Sequence, residues 1–169
     1  MKKALIIIDM QNDFVYGSLK NPQAEAVVSP IANYAKTFDG DVIATRDTHG
    51  KDYLSTPEGA HLPVVHCVHG SHGWEICEEI NRVLEERNAL ILDKPTFGSL
   101  NWDCLKDYTH VELVGTCTDI CVVSNALIIK ALFPAIEMKV HANLCAGVTP
   151  QSHDAALSVM HSCQIEIVK

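Results

Sequence analysis

The run Ala4-Leu5-Ile6-Ile7-Ile8-Asp9 places five consecutive apolar residues directly before a carboxylate. An apolar run of this length, without alternation, suits a strand of a parallel sheet covered on both faces. Further short runs, apolar or alternating, recur at Val42–Thr45, Ala89–Leu92, Val111–Val114, Met138–Ala142 and Ile165–Val168. Between most of them the apolar residues follow helical spacing: Val27/Val28/Ile31/Ala35, Ile76/Ile80/Val83/Leu84, Ile120/Val123/Leu127/Ala131 and Ala155/Ala156/Val159/Met160. A shorter helix is expected over Leu100–Asp107. Such alternation predicts a three-layer, doubly wound α/β fold with a mostly parallel sheet of about six strands.

The chain has 169 residues, enough for one domain, which is expected to span residues 1–169. Hydrophobic residues make up 47 % and charged residues 20 %, the balance of a globular protein. A net charge of −8 without any lysine or arginine cluster argues against a nucleic-acid partner. The first apolar run is too short for a signal-peptide core or a membrane span, so no membrane partner is expected. The seven cysteines are odd in number and scattered singly. They read as reduced thiols of a cytoplasmic protein rather than a disulfide framework.

In open α/β sheets, ligands sit beyond the carboxyl ends of the strands. Asp9 follows the first strand, Asp47 and His49 the second, Asp93 and Lys94 the third, and Gly115–Cys121 the fourth. No glycine-rich dinucleotide turn, phosphate loop or serine elbow occurs. Thr118 or Asp119 is a natural helix N-cap, which puts Cys121 in a first turn where exposed amides lower a thiol pKa. Lys94 can favour the thiolate, and Asp9 can take and return a proton. Taken singly, each residue also has an ordinary reading: Cys121 as buried filler, Asp9 as a cap, Lys94 as a solvated cation. Asp47 and His49 lie two apart on extended chain, so their side chains point the same way, and both suit a divalent metal. Residues Thr48–Gly73 form a long connection carrying His49, His61, His66, His69 and His72, which favours a functional segment. His110, His141, His153 and His161 fall on strand or helix positions and read as structural or surface residues.

The segments Ile8-Asp9-Met10-Gln11-Asn12-Asp13-Phe14, Asp93-Lys94-Pro95 and Gly115-Thr116-Cys117-Thr118-Asp119-Ile120-Cys121-Val122 resemble the isochorismatase-like cysteine hydrolases, especially their nicotinamidase branch. The resemblance implies a catalytic triad of Asp9, Lys94 and Cys121, an oxyanion hole formed by the amides of Cys117 and Cys121, and a cis peptide at Thr116-Cys117. Cys117 departs from the alanine or serine more common in the family. By the same resemblance, Asp47 and His49 open a metal site completed by His66 of His66-Cys67-Val68-His69-Gly70-Ser71-His72-Gly73. Glu58 is the expected fourth ligand, with His61 as its competitor. Zinc is the first choice of metal, and iron or manganese can use the same donor types. Phe14 could flank an aromatic substrate ring or simply pack in the core, while Trp74 and Trp102 are weaker candidates. The segment Phe97-Gly98-Ser99 departs from the commoner nicotinamidase pattern.

The implied activity is hydrolysis of a small carboxamide through a cysteine thioester, with nicotinamide as the leading substrate, and the implied assembly is a homo-oligomer. Another amide or ureido substrate, an isochorismatase-type reaction, and a metal-binding scaffold without catalysis are the alternatives. The metal ligands argue against isochorismate, whose branch resembles a site without metal or nucleophilic cysteine.

Overall fold

The computed structural model describes residues 1–169. Six strands, β1 (Lys3–Ile8), β2 (Asp41–Asp47), β3 (Leu90–Lys94), β4 (His110–Thr116), β5 (Glu137–Ala146) and β6 (Glu166–Val168), form one sheet. Their order is β3-β2-β1-β4-β5-β6, and every neighbouring pair runs parallel. The chain winds outward from β1 in one direction and from β4 in the other. Consequently the seam between β1 and β4 is the topological switch point, where crossover connections diverge and leave a crevice.

The helices are α1 (Asn12–Val15), α2 (Pro22–Thr37), α3 (Pro57–His61), α4 (Glu78–Glu86), α5 (Val123–Leu132) and α6 (Pro150–Ser162). Two of the long ones, α2 and α6, start on capping side chains. Asn21 accepts from the Gln23 amide ahead of Pro22, and Thr149 forms a capping box with Ser152 ahead of Pro150. The apolar β1 residues divide by face. Leu5 and Ile7 pack with the stripes of α2 and α4, whereas Ala4, Ile6 and Ile8 pack with those of α5 and α6. That two-sided burial is why the strand shows no polar alternation. No helix is long and apolar enough to cross a membrane.

Two expectations need correction. Leu100–Asp107 holds only a single 3-10 turn, Asp103–Leu105, because Trp102 and Leu105 sink into the core while their neighbours stay exposed. The Thr48–Gly73 connection is not structureless. It contains α3 and short turns at Tyr53–Ser55 and His72–Trp74, and a bridge from His49 to Val68 ties its end back to the end of β2.

At Gly115 the β4–β5 register shifts, and φ is +119°. A Cβ there would lie 2.2 Å from the Ile8 carbonyl oxygen. Only glycine permits both the conformation and the close approach that bring the end of β1 against the turn after β4. Gly115→Ala is therefore expected to lower the unfolding free energy by about 1–3 kcal/mol. Urea denaturation checks this, and an unchanged midpoint would show that the two strands part freely.

Lower in the sheet, Glu112 accepts from the Tyr34 hydroxyl at 2.6 Å and lies 2.5 Å from His141 Nε2. Partial burial raises the Glu112 pKa, but hydrogen bonds from Tyr34 and His141 outweigh it and leave the carboxyl below its usual range. A depressed folded-state pKa stabilises above the unfolded-state value, and the benefit disappears as pH falls through the depressed one. The thermal-stability gap between the parent and Glu112→Gln is accordingly expected to be largest near neutrality and to narrow on acidification through and below the glutamate range. A gap that widens there would contradict the ionised state.

Candidate active site and metal centre

Four strand ends converge on the carboxyl edge of the sheet. Asp9, immediately after β1 with φ +48°, turns its side chain under Lys94, the last residue of β3. Lys94 Nζ lies 2.6 Å from Asp9 Oδ2, and both side chains are fully buried. Thr45 donates to Asp9 Oδ1 at 2.6 Å. Lys94 is thus the charge partner of Oδ2, while Thr45 holds the other carboxyl oxygen. Lys94 also lies 3.6 Å from Cys121 Sγ and 3.4 Å from Asp47 Oδ1, and it donates to the Thr96 carbonyl at 3.2 Å. The acid, the ammonium and the sulfur thus share one crevice.

Burial alone would strip the charge from each group. Desolvation raises the Asp9 pKa, and the Lys94 ammonium opposes the rise without cancelling it. For Lys94, desolvation pulls the pKa down, but the neighbouring carboxylates, Asp9 foremost and then Asp47, overcome it and raise it above the usual lysine range. Cys121 differs from the sequence expectation. Its thiol is pushed well above the ordinary cysteine range, first by desolvation and then by Asp9, with Lys94 opposing. The Asp9 carboxyl stands in the same buried crevice as that thiol. Helix-terminus stabilisation of a thiolate loses here because full burial outweighs an effect that amounts to about 0.3–1 kcal/mol at surface sites.

The cap also differs. Thr118–Val122 forms a wide π-type turn ahead of α5, and Cys117, not Thr118 or Asp119, occupies the N-cap position without a side-chain hydrogen bond. Asp119 instead accepts from the Val148 amide at 3.0 Å, and the Thr118 hydroxyl meets His153 Nδ1 at 2.8 Å. The peptide Thr116-Cys117 is cis. The Cys117 amide makes no backbone hydrogen bond, so it remains available to an oxygen in the cavity. The Cys117 thiol, raised by burial to about 11, accepts from the Thr116 hydroxyl at 3.3 Å.

Next to the thiol, Asp47, His49, Glu58 and His66 bring one donor atom each within 4.8 Å of one another. Asp47 Oδ2 lies 2.9 Å from His49 Nε2 and 3.6 Å from His66 Nε2, and Glu58 Oε1 lies 3.7 and 3.8 Å from the same nitrogens. Four donors about 2.1 Å from a tetrahedral ion would stand roughly 3.4 Å apart, so the cluster has the right size for one divalent metal. His66 Nδ1 is 2.8 Å from the Val64 carbonyl, an arrangement that fixes this nitrogen as the donor and aims the Nε2 lone pair into the cluster. Tyr53 packs against both imidazoles, with ring centroids 4.7 and 4.9 Å away. His61 is exposed, lies 2.8 Å through Nδ1 from the Pro57 carbonyl, and stands outside the cluster. Glu58 takes the fourth place because α3 turns it inward.

A cavity of about 460 Å³ opens over these groups. Phe14, Leu19, Leu62, Phe97, Ile120 and Val148 form its apolar wall, while Asp47, Glu58, His66, Cys117 and Cys121 face it from the polar side. Phe14 packs on His66 at 5.7 Å, so it is a wall residue and not a deep core residue. Trp102 is completely buried, and the Trp74 indole donates to Thr48 beneath the Arg46 guanidinium, so neither lines the cavity. Sequence reasoning missed Gln11. Its side-chain amide donates to the Asp47 and Trp74 carbonyls, and its oxygen accepts from the Asp47 amide at 2.7 Å. Its place two residues after Asp9 was visible, but its partner lies 36 residues away.

A doubly wound sheet whose switch point gathers a buried thiol, carboxylate and ammonium beside a carboxylate and imidazole cluster defines a three-layer α/β protein with an enzyme-like crevice. The isochorismatase domain family profile matches residues 3–169, and the chain belongs to that family. It is 30 % identical to the nicotinamidase/pyrazinamidase of Mycobacterium tuberculosis over 98 % of each chain. The solved nicotinamidase/pyrazinamidase of Bacillus subtilis superposes with a TM-score of 0.83 at 26 % identity, covering 100 % of both chains. The pyrazinamidase of Pyrococcus horikoshii, solved in complex with zinc, gives 0.81 at 26 % identity over 100 % of this chain and 99 % of that one.

The donor geometry predicts that His66→Ala loses bound metal, because removing one of two imidazoles opens the cluster, whereas His61→Ala retains it. Elemental analysis after exhaustive dialysis checks this, and equal metal content in the two variants would exclude the cluster as the site.

Proposed function

We propose that residues 1–169 act as one hydrolase domain that converts nicotinamide, or a closely related ring carboxamide, to the carboxylate and ammonia. The carrying observation is the contact of one buried carboxylate with one buried ammonium beside a thiol that faces an apolar cavity. Asp9 takes the Cys121 proton as Sγ attacks the carbonyl carbon. The amide hydrogens of Cys117 and Cys121 receive the developing oxyanion, a contribution of about 3–4 kcal/mol per donor where measured. Asp9 passes its proton to the nitrogen, the C–N bond breaks, and ammonia leaves a thioester on Cys121. Asp9 then deprotonates a water that attacks the thioester carbon. The carboxylate product departs as the sulfur regains the proton.

Lys94 keeps Asp9 ionised inside the protein and turns it toward the sulfur. Both tasks follow from the 2.6 Å pair, since an unpaired carboxylate at that depth would stay protonated. Asp47, His49, Glu58 and His66 would hold a divalent metal, with zinc favoured by two imidazoles and two carboxylates. When bound, that ion offers a Lewis-acidic anchor for a ring nitrogen or its water, and so orients the substrate without entering the bond cleavage. Phe14, and Phe97 across the cavity, would hold the ring. An aromatic substrate suits this apolar wall better than a multiply charged one such as isochorismate.

Cys121→Ala is expected to lower ammonia release from nicotinamide by at least about a thousandfold, the order seen when a nucleophile is removed. Cys117→Ala is expected to stay within about threefold of the parent, because only its backbone amide takes part. A coupled ammonia assay on metal-replete protein checks both. Activity surviving in Cys121→Ala, or absent from the parent with every ring carboxamide tried, would overturn the reading.

A further inference from the structure

Asn125 is completely buried, and its side chain spends both of its functional groups on the candidate site. Nδ2 donates to the Cys121 carbonyl at 2.8 Å and to the Phe97 carbonyl at 3.1 Å, while Oδ1 accepts from the Ser99 amide at 2.9 Å. One amide group therefore joins the turn that carries the thiol to the segment that follows Lys94. That segment is pressed tightly against α5. A Cβ on Gly98 would lie 2.5 Å from Ile128 Cδ1 and 3.3 Å from Ser124 Cβ. Its other end is held by Lys94, which donates to the Thr96 carbonyl at 3.2 Å. A closed circuit results: Lys94, residues 96–99, Asn125, Cys121, and back to Lys94 through the 3.6 Å contact with the sulfur.

Phe97 is the one member of this circuit that reaches the cavity as a large apolar side chain. Its side chain is also exposed to solvent, at 42 %. The Phe97 carbonyl and the Ser99 amide are both anchored on Asn125, so that side chain fixes the angle at which the ring enters the cavity. The same side chain restrains the carbonyl of the nucleophile's own residue. On the carboxamide-hydrolase reading above, we propose that Asn125 is a positioning residue. It locks Phe97 as one wall of the ring subsite and holds Cys121 in register with that wall and with Lys94. Phe97-Gly98-Ser99 belongs to no helix or strand that could do this by itself.

Two variants separate positioning from a merely structural role. Asn125→Thr keeps a hydroxyl able to donate to the Cys121 carbonyl four residues back, but it cannot also reach Phe97 and Ser99. Asn125→Ala loses all three bonds. With nicotinamide and metal-replete protein, Asn125→Thr is expected to raise KM about five- to tenfold with kcat within about twofold of the parent. Asn125→Ala is expected to raise KM similarly and to lower kcat about tenfold. The rate of Cys121 alkylation by iodoacetamide, read by peptide mass spectrometry, should match the parent in Asn125→Thr and differ by at least about threefold in Asn125→Ala.

Unchanged KM, kcat and alkylation rates in both variants, even with a lowered Tm, would overturn the assignment. Should Asn125→Ala fail to fold, the KM and kcat of Asn125→Thr decide. If the parent releases no ammonia from nicotinamide, the carboxamide reading falls separately. The alkylation rates then judge the hold on Cys121 without it.

Discussion

The site depends on an ion pair that water does not reach. Lys94 and Asp9 meet at 2.6 Å with neither side chain exposed. Each alone would cost several kcal/mol to bury in charged form, and truncating one partner of such a pair strands the other. The pair can exist only because β3 ends in Lys94 and β1 runs straight into Asp9 at the same edge, with β2 between them supplying Thr45 and Asp47. Those two donors and acceptors satisfy what the pair leaves over. The sheet order therefore does more than bury apolar strands, since it is the device that holds opposite charges in contact at the switch point.

Around that pair the cavity divides into two chemistries. One side is the thiol turn, where burial and the nearby Asp9 carboxyl push the Cys121 pKa up and Lys94 opposes them. The other is the carboxylate and imidazole cluster, where Asp47 is held below the usual carboxylate range. Desolvation pushes it up, but contacts from His49 and His66 and the nearby Lys94 charge outweigh that. His66 moves the opposite way for the same reason: burial lowers its pKa, and Asp47 more than restores it. Asp47 touches both chemistries, through Oδ1 to Lys94 and through Oδ2 to the imidazoles. Gln11 clamps its backbone, which couples the end of β1 to the metal-ligand cluster without any charged contact.

Much of the fold was readable because it rests on local pattern. Short apolar or alternating runs gave all six strands to within a few residues, and helical spacing gave the four long helices, since strand and helix bury their faces with different periodicities. Leu100–Asp107 misled because two large buried side chains, Trp102 and Leu105, imitate a short amphipathic stripe that a single turn can also satisfy. The N-cap went astray because Thr118 and Asp119 are good caps in isolation, yet His153 and Val148 engage them first. Asn125 carried no signal at all, as a polar residue on an apolar helix reads the same whether it faces solvent or a buried loop.

By itself, the sequence determined the α/β class, the strand-end position of Asp9, Lys94, Cys121 and Asp47, and the reactive types available at one edge. These follow from neighbours in the chain, where periodicity and residue chemistry act within a few positions. Only the tertiary structure decided that burial pushes the Cys121 thiol pKa up, that Glu58 rather than His61 completes the donor cluster, and that Phe14 and Phe97 wall a cavity while Trp102 does not. Those outcomes depend on desolvation and on distances between segments remote in sequence. Both quantities come into being only when the chain closes on itself.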